Sequence, residues 1–212
     1  MKRLLLLAVA LLAAEPLAAA DRLFEITGWA SWVDTNSSGT FSSASPNQPF
    51  DINFKGKLGY GIGANIFFGS NISTEFSVVE VRPKTTFVST SGGTVTGNNL
   101  RMTPLTAILQ FHLIPKGFVD PFVGAGAAYV LFDNLNGPGS LGVNKINFKD
   151  DVGLALNGGL GFAITPTFAI TVDGKYVPLK SSATAVYVVG PNATSRVKIN
   201  PVMFEGGLTF RF

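Results

Sequence analysis

The sequence predicts an all-β protein: an eight-stranded antiparallel transmembrane β-barrel with short periplasmic turns and four longer extracellular loops. Three observations predict this fold. They are an N-terminal export signal, an apolar composition without a run long enough for a membrane helix, and alternation of apolar and polar residues with a period of two. Such alternation gives each strand an apolar face and a polar face, which in an outer-membrane barrel contact lipid and lumen.

The N-terminus has the layout of a secretory signal peptide. A basic start precedes an apolar run over residues 4–14, and the small residues Ala18–Ala20 precede Asp21. We expect cleavage after Ala20, so that residues 1–20 are the signal peptide and residues 21–212 form a single transmembrane β-barrel domain. The predicted location is the outer membrane of a Gram-negative bacterium.

Composition narrows the possible partners. Cleavage would remove two of 16 basic and one of 13 acidic residues, which leaves a net charge of +2 and gives no reason to expect a nucleic-acid partner. Without cysteine, the exported chain has no disulfide to stabilise it. Charged residues make up only 14% of the chain, so its apolar residues need a lipid or core partner. We expect outer-membrane lipid to be that partner.

Turn signals divide the mature chain into eight candidate strands. They lie near 22–33, 58–68, 72–82, 100–113, 121–132, 152–164, 168–180 and 198–212. Three connections are short, at 69–71, 114–120 and 165–167, whereas those at 34–57, 83–99, 133–151 and 181–197 are long. Since short turns of such barrels face the periplasm, both termini lie there and the first strand pairs with the last.

The last strand shows the alternation most clearly. Apolar residues recur at every second position from Phe204 to the terminal Phe212, and Glu205, Thr209 and Arg211 lie between them. We expect this strand, ending at Phe212, to be recognised by the barrel-assembly machinery. The other residues predicted to face lipid are Phe24, Ile26, Trp32, Tyr60, Ile62, Ile66, Phe68, Leu105, Leu109, Phe111, Val123, Tyr129, Leu154, Leu160, Phe162, Phe168, Ile170, Val172 and Tyr176.

The opposite face of each strand predicts a lumen that is polar near the periplasm and apolar near the outside. The charged or titratable members of the predicted polar plug are Glu25, Glu75, His112, Asp173, Lys175, Glu205 and Arg211. Uncharged Thr27, Asn65, Ser77, Gln110 and Asn157 belong to the same layer. The apolar residues expected to line the upper lumen are Trp29, Val79, Val81, Met102, Ile108, Val130, Val177, Leu179, Ile199 and Met203.

The polar layer has four acids against two bases. Side chains nearly fill an eight-stranded barrel, so this layer is better interpreted as a hydrogen-bonded plug than as an ion path. Unpaired buried charge is costly, and the excess of acids therefore predicts either a protonated carboxyl group or a bound cation.

The apolar layer has two interpretations, a pocket for an apolar solute and ordinary packing of the barrel interior. Inward-facing glycines favour a pocket if they leave room, but tight barrels also use such glycines to bend their strands. The glycines are Gly59, Gly61, Gly63, Gly124, Gly126, Gly153, Gly159 and Gly161.

The sequence offers little for catalysis. His112 is the only histidine and there is no cysteine, so no transition-metal cluster is expected, and a serine nucleophile would need this one base within reach. We expect no catalytic residues, no metal and no cofactor.

Four stretches make the chain resemble the OmpW family of small outer-membrane barrels. They are GANIFFGSNISTEFSVVE (63–80), TPLTAILQFHL (103–113), DPFVGAGAAYVLF (120–132) and INPVMFEGGLTFRF (199–212). The resemblance covers nearly all of the mature chain and implies passage of small hydrophobic molecules through the outer membrane, which would make a small hydrophobic solute the ligand.

Two further hypotheses concern the outer end. Pro104, Pro178 and Pro201 each remove a backbone donor, which suggests a weak seam for lateral release between strands three and four or seven and eight. The alternative to transport is a structural or adhesion barrel that presents surface loops. The loop phenylalanines fit either a partner surface or a hydrophobic funnel above the lumen; they are Phe41, Phe50, Phe54 and Phe87.

Overall fold

The structure is a computed structural model that describes residues 23–35, 37, 39–42, 49–89 and 92–212. The predicted signal peptide, residues 1–20, lies outside the described residues. Within them, no helix is long and apolar enough to cross a membrane.

The described residues form sixteen strands and one 3-10 turn. The strands are β1 (Phe24–Thr35), β2 (Gly39–Phe41), β3 (Phe50–Lys55), β4 (Lys57–Phe67), β5 (Ile72–Glu80), β6 (Lys84–Ser89), β7 (Thr94–Thr96), β8 (Met102–His112), β9 (Val119–Phe132), β10 (Leu135–Asn136), β11 (Val143–Phe148), β12 (Asp151–Ala163), β13 (Phe168–Tyr176), β14 (Leu179–Tyr187), β15 (Ala193–Ile199) and β16 (Pro201–Arg211). The 3-10 turn is Gly139–Leu141.

Eight of these strands close into an antiparallel barrel, as the sequence predicts. Their order is β1-β16-β13-β12-β9-β8-β5-β4, and β1 pairs with both β16 and β4. The closing ladder runs from Glu25 opposite Arg211 to Thr35 opposite Pro201. Because every barrel strand has two neighbours, the barrel has no free edge.

The four long connections, which the sequence analysis predicts without assigning strands to them, are largely structured. They contain the other eight strands, which form two four-stranded sheets, β10-β11-β14-β15 and β2-β3-β6-β7. β3 shows why: Phe50, Ile52 and Phe54 are buried, and the polar residues between them are exposed. The polar faces of these strands are rich in Ser, Thr and Asn, which read as loop residues in the sequence.

One predicted strand end is also corrected. Strand seven, predicted to reach residue 180, ends at Tyr176, and Pro178 separates it from β14. At Val177 and Leu179 the chain moves from the barrel into the upper sheet without losing its alternation of buried and exposed residues. Proline removes one ladder donor and thereby sets this boundary.

The outer surface of the barrel is apolar, as predicted. Trp32, Tyr60, Leu109, Phe204 and Leu208 are more than 40% exposed, which suits side chains that contact lipid in place of water. Aromatic residues concentrate at the periplasmic end, where the rings of Phe168, Phe210 and Phe212 pack edge to face. Outer-membrane barrels carry aromatic girdles at such positions.

Candidate functional site: the barrel lumen

Lys175 is the centre of the polar layer. Its Nζ lies 2.8 Å from Glu75 Oε1 and 3.1 Å from Asp173 Oδ2, and it also bonds Glu205 Oε2. The three carboxylates project from β5, β13 and β16, so one ammonium group joins three strands across the lumen. All four side chains are buried.

Each of the three carboxylates also receives a hydrogen bond from a neutral side chain. Gln110 Nε2 donates to Glu75 at 3.0 Å, and Asn157 Nδ2 donates to Asp173 at 3.2 Å. Ser31 Oγ donates to Glu205. Hydrogen bonds of this kind offset part of the desolvation of buried charge, so the layer is a connected network.

A second ion pair lies nearer the periplasm. Arg211 Nε donates to Glu25 Oε1 at 2.9 Å, which links β16 to β1 where they close the barrel. Arg211 also lines an open bowl of 630 Å³ between the periplasmic turns. The charged side chain of Arg211 therefore forms part of the inner wall of this bowl.

Asp120 is a plug residue that the sequence analysis missed, because it belongs to the predicted turn at 114–120. His112 Nδ1 lies 2.8 Å from Asp120 Oδ2, and Ser73 Oγ lies 3.0 Å from His112 Nε2. The three groups have the order of a serine hydrolase triad. However, Ser73 is fully buried and the space lined by His112 and Asp120 measures 10 Å³, about one water, so a substrate carbonyl has no room beside the hydroxyl.

With Asp120, the lower lumen has five carboxyl groups against two basic side chains, Lys175 and Arg211. Among the residues that the structure describes, no group of three or more Asp, Glu, His and Cys is arranged to hold a metal ion. Within the central network, the ammonium of Lys175 occupies the position between the carboxylates. That a proton or a bound cation offsets the remaining negative charge stays a prediction.

Trp29 separates the polar layer from the apolar one. Lys175 Nζ lies 4.9 Å from the centre of its ring. The indole ring packs against glycines on two neighbouring strands, Gly63 and Gly207. A Cβ at either position would come within 2.7 Å of the ring, so only glycine leaves room for the indole. The indole therefore covers the charged network from above.

The ten residues predicted to line the upper lumen are all buried, none more than 5% exposed. Most belong to one apolar cluster that continues upward into the interior of the two extracellular sheets. Phe41, Phe50, Phe54 and Phe87 belong to the same cluster, and Phe41 and Phe50 stack at 5.0 Å. These four rings are inside the molecule, so the interpretation that they form an exposed partner surface is wrong.

Most of the inward glycines bring strands together, which favours the interpretation that they allow tight coiling over the interpretation that they leave room for a pocket. A Cβ on Gly61 would overlap the carbonyl oxygen of Val78, and one on Gly126 would overlap that of Ala107. Glycine permits this close backbone approach and the strong coiling of a small barrel.

The ladder between strands seven and eight of the barrel is not interrupted at its prolines. Val177 N donates to Pro201 O at 3.0 Å, and Leu179 N donates to Asn200 Oδ1 at 3.2 Å. The predicted seam at this position is therefore wrong. Between strands three and four, regular pairing stops at Val78 opposite Leu105, below the single bridge of Val81 and Met102.

A longer gap lies between strands six and seven. The β12–β13 ladder ends at Leu156 opposite Tyr176, while β12 continues to Asp151. Across this gap, a Cβ on Gly153 would lie 2.9 Å from Pro178 O and 3.5 Å from Val177 Cγ1. Among the described residues, no ladder pairing joins the two segments here, and the close approach of Gly153 to the Pro178 carbonyl, with neighbouring side chains, closes the wall.

A closed eight-stranded barrel with an apolar exterior and a charged plug defines an outer-membrane β-barrel protein. Residues 24–212 match the model of the OmpW family. The chain belongs to the OmpW family, and its location is the outer membrane of a Gram-negative bacterium.

Relatives agree with this assignment, and a solved structure has a similar fold. The chain is 29% identical to outer membrane protein W of Vibrio cholerae over 170 residues, which cover 75% of this chain and 76% of that protein. It is 25% identical to outer membrane protein AlkL of Ectopseudomonas oleovorans over 80% of this chain and 71% of that one. The fold is similar to the crystal structure of OprG from Pseudomonas aeruginosa, with a TM-score of 0.79 and 16% identity over 93% of this chain and 99% of that chain.

Proposed function

We propose that this barrel takes up small hydrophobic molecules from outside the cell through its apolar upper interior and releases them sideways into the membrane. One observation carries the proposal: a continuous apolar interior extends from the extracellular sheets to Trp29 and rests on a charged floor. An apolar solute gains free energy from the upper layer by leaving water.

The charged floor disfavours passage into the periplasm. A solute moving down would have to displace Trp29 and separate Lys175 from its carboxylates. Breaking a buried ion pair leaves charge without compensation, at a cost of about 3–5 kcal/mol. A sideways exit above this floor avoids that cost.

The gap between β12 and β13 is the place we propose for the exit. It lies beside the apolar layer, since Val177 and Leu179 on one side and Ala155 on the other are buried in the apolar cluster. Opening it requires side chains to move but breaks no ladder hydrogen bond above Leu156 and Tyr176. The described side chains of the upper lumen are buried against one another, so entry of a solute requires them to move apart.

Uptake of a fluorescent hydrophobic tracer tests the proposal, in cells lacking the protein and in cells that regain it. Ile108→Asp and Met203→Lys place charge in the apolar layer and should abolish the gain in uptake. Val188→Asp, at an exposed position above the barrel, is the control and should leave uptake unchanged. Unchanged uptake in folded lining variants would favour a structural or adhesion barrel.

A disulfide tests the exit, because the chain has no native cysteine. Gly153→Cys combined with Val177→Cys should close the gap between β12 and β13 and reduce uptake until a reductant is added. As a control, Asp34→Cys with Val202→Cys joins two residues that are already paired at the outer end of the barrel. Equal uptake by the oxidised and reduced forms of the first variant would place the exit elsewhere.

A further inference from the structure

A basic cleft lies on the outer surface where the two extracellular sheets meet. It has a volume of 400 Å³ and is lined by Gly39, Thr40, Lys180, Arg196 and Lys198. Ser195 Oγ donates to Thr40 O at 2.6 Å, which holds β15 against β2 beside the cleft. The cleft is thus formed by two strands that come from different sheets.

The three basic side chains share one exposed face of the β14–β15 hairpin. Lys180 and Lys198 are register partners, and Arg196 lies two residues from Lys198 on the same side. Like charges directly opposite each other destabilise a sheet. In the part of the chain that the structure describes, none of the three bases forms an ion pair with an acid, so this repulsion is not offset within the protein.

Two acids lie on strands that adjoin the cleft, and neither forms an ion pair with its three bases. Asp51 on β3 accepts a hydrogen bond from Thr40 Oγ1 at 2.6 Å. Asp34 lies near the end of β1, opposite Val202. Anions from outside the chain therefore remain the natural partners of the cleft.

The position of the cleft along the membrane normal indicates which anion it contacts. Phe168 belongs to the periplasmic girdle, and Tyr176 is exposed toward lipid near the outer end of the same strand. At about 3.3 Å per residue and a tilt of about 40°, Phe168 and Tyr176 lie about 20 Å apart along the membrane normal. Lys180 then lies about 30 Å above Phe168, just beyond an apolar band of about 25 Å. This is the level of lipid headgroups.

We propose that the cleft binds a phosphate group of an anionic glycolipid in the outer leaflet. Lysine and arginine side chains that converge on one cavity are suited to phosphate oxygens, with arginine able to donate two parallel hydrogen bonds. Directly below the cleft, the paired residues Trp32 and Phe204 are exposed toward lipid and would pack against the acyl chains of the same molecule.

Binding of diphosphoryl lipid A to the full-length folded protein in a neutral detergent tests the proposal, with dephosphorylated lipid A as the comparison. The double variant Lys180→Gln/Lys198→Gln should bind diphosphoryl lipid A at least about tenfold more weakly, because it loses charge-assisted hydrogen bonds. The dephosphorylated lipid should bind both proteins equally weakly.

The chain provides a matched control. Lys55 and Lys84 are also exposed register partners, on β3 and β6, and they do not line the cleft. Lys55→Gln/Lys84→Gln removes the same charge and should retain the affinity. If both double variants lost the same affinity for diphosphoryl lipid A, the lipid would be attracted by the overall positive charge and not by the cleft, which would contradict the proposal. Unchanged binding by Lys180→Gln/Lys198→Gln would also contradict it.

Three further measurements complete the test. Two of them identify the source of the phosphate, and the third shows whether the variant is still stably folded. Millimolar inorganic phosphate should not displace the lipid; displacement by free phosphate, or equal binding of a soluble sulfated polysaccharide, would contradict a lipid site. Without lipid, Lys180→Gln/Lys198→Gln should have the same or a higher urea midpoint than the native chain, since it removes a like-charge pair.

Discussion

Lys175 lies beneath Trp29, with its Nζ 4.9 Å from the centre of the indole ring, and this contact is the boundary between the charged and apolar halves of the lumen. Below it, three carboxylates share the ammonium group. Above it, the apolar cluster begins. The ammonium group of Lys175 interacts favourably with the face of the indole ring, although the ring itself is apolar. Trp29 can therefore contact the charged layer below it and the apolar layer above it.

Replacing Lys175 tests whether the network stabilises the barrel. Lys175→Met should leave Glu75, Asp173 and Glu205 as uncompensated buried charges and lower the free energy of unfolding by about 3–5 kcal/mol. The measurement is the urea midpoint in detergent. Lys149→Met, at an exposed position, is the control and should change it little. An unchanged midpoint for Lys175→Met would contradict the buried network.

Trp29 should seal the lumen. Trp29→Ala removes a buried ring and should cost about 3–5 kcal/mol of stability. It should also raise ion conductance in planar bilayers, because water gains access to the charged layer. Trp32→Ala removes a ring that is 50% exposed toward lipid and should leave conductance unchanged. Equal conductance of the two variants would show that the seal lies elsewhere.

Close strand packing predicts opposite effects at two glycines. Gly61→Ala puts a methyl group against the Val78 carbonyl oxygen and should destabilise the barrel by about 1–3 kcal/mol, with a smaller folded fraction on gels. Gly206→Ala has nothing within 4 Å of the new Cβ and should fold like the native chain. Normal folding of Gly61→Ala would mean that the strands are further apart than described.

The Ser73–His112–Asp120 arrangement should be structural. We expect no labelling of the folded protein by a fluorophosphonate probe, because Ser73 is fully buried. Ser73→Ala removes the contacts to His112 and Gln110 and should cost about 1–2 kcal/mol, comparable with Ser77→Ala, which removes the 2.6 Å contact to Thr106. Labelling that Ser73→Ala abolishes and Ser77→Ala retains would establish a reactive serine and overturn this interpretation.

Phe212 should matter for assembly. Phe212 N donates to Phe24 O at 2.9 Å, so Phe212 contributes to barrel closure. Deleting Phe212 should reduce the folded fraction in the outer membrane, and Phe212→Tyr should preserve it. Folding of the purified deletion variant in detergent separates the two causes: normal folding there would assign the defect to recognition by the assembly machinery.

The sequence by itself determined which side of each barrel strand faces lipid and which faces the lumen. Period-two alternation is a local property of the chain, and it correctly placed Glu205, Lys175 and Met203 inside and Phe204 outside. The eight barrel strands and their antiparallel closure followed from the same pattern and from the lengths of the connections.

Only the tertiary structure decided which of these inward residues meet. Lys175 is joined to Glu75 by strand order and register across the lumen, which no local pattern encodes. The same holds for Ser73 beside His112, for the sheets formed by apparent loops, and for glycines that allow close backbone approach. The physical reason is that alternation fixes the face of a side chain, whereas its partners depend on the stagger and coiling of a closed barrel.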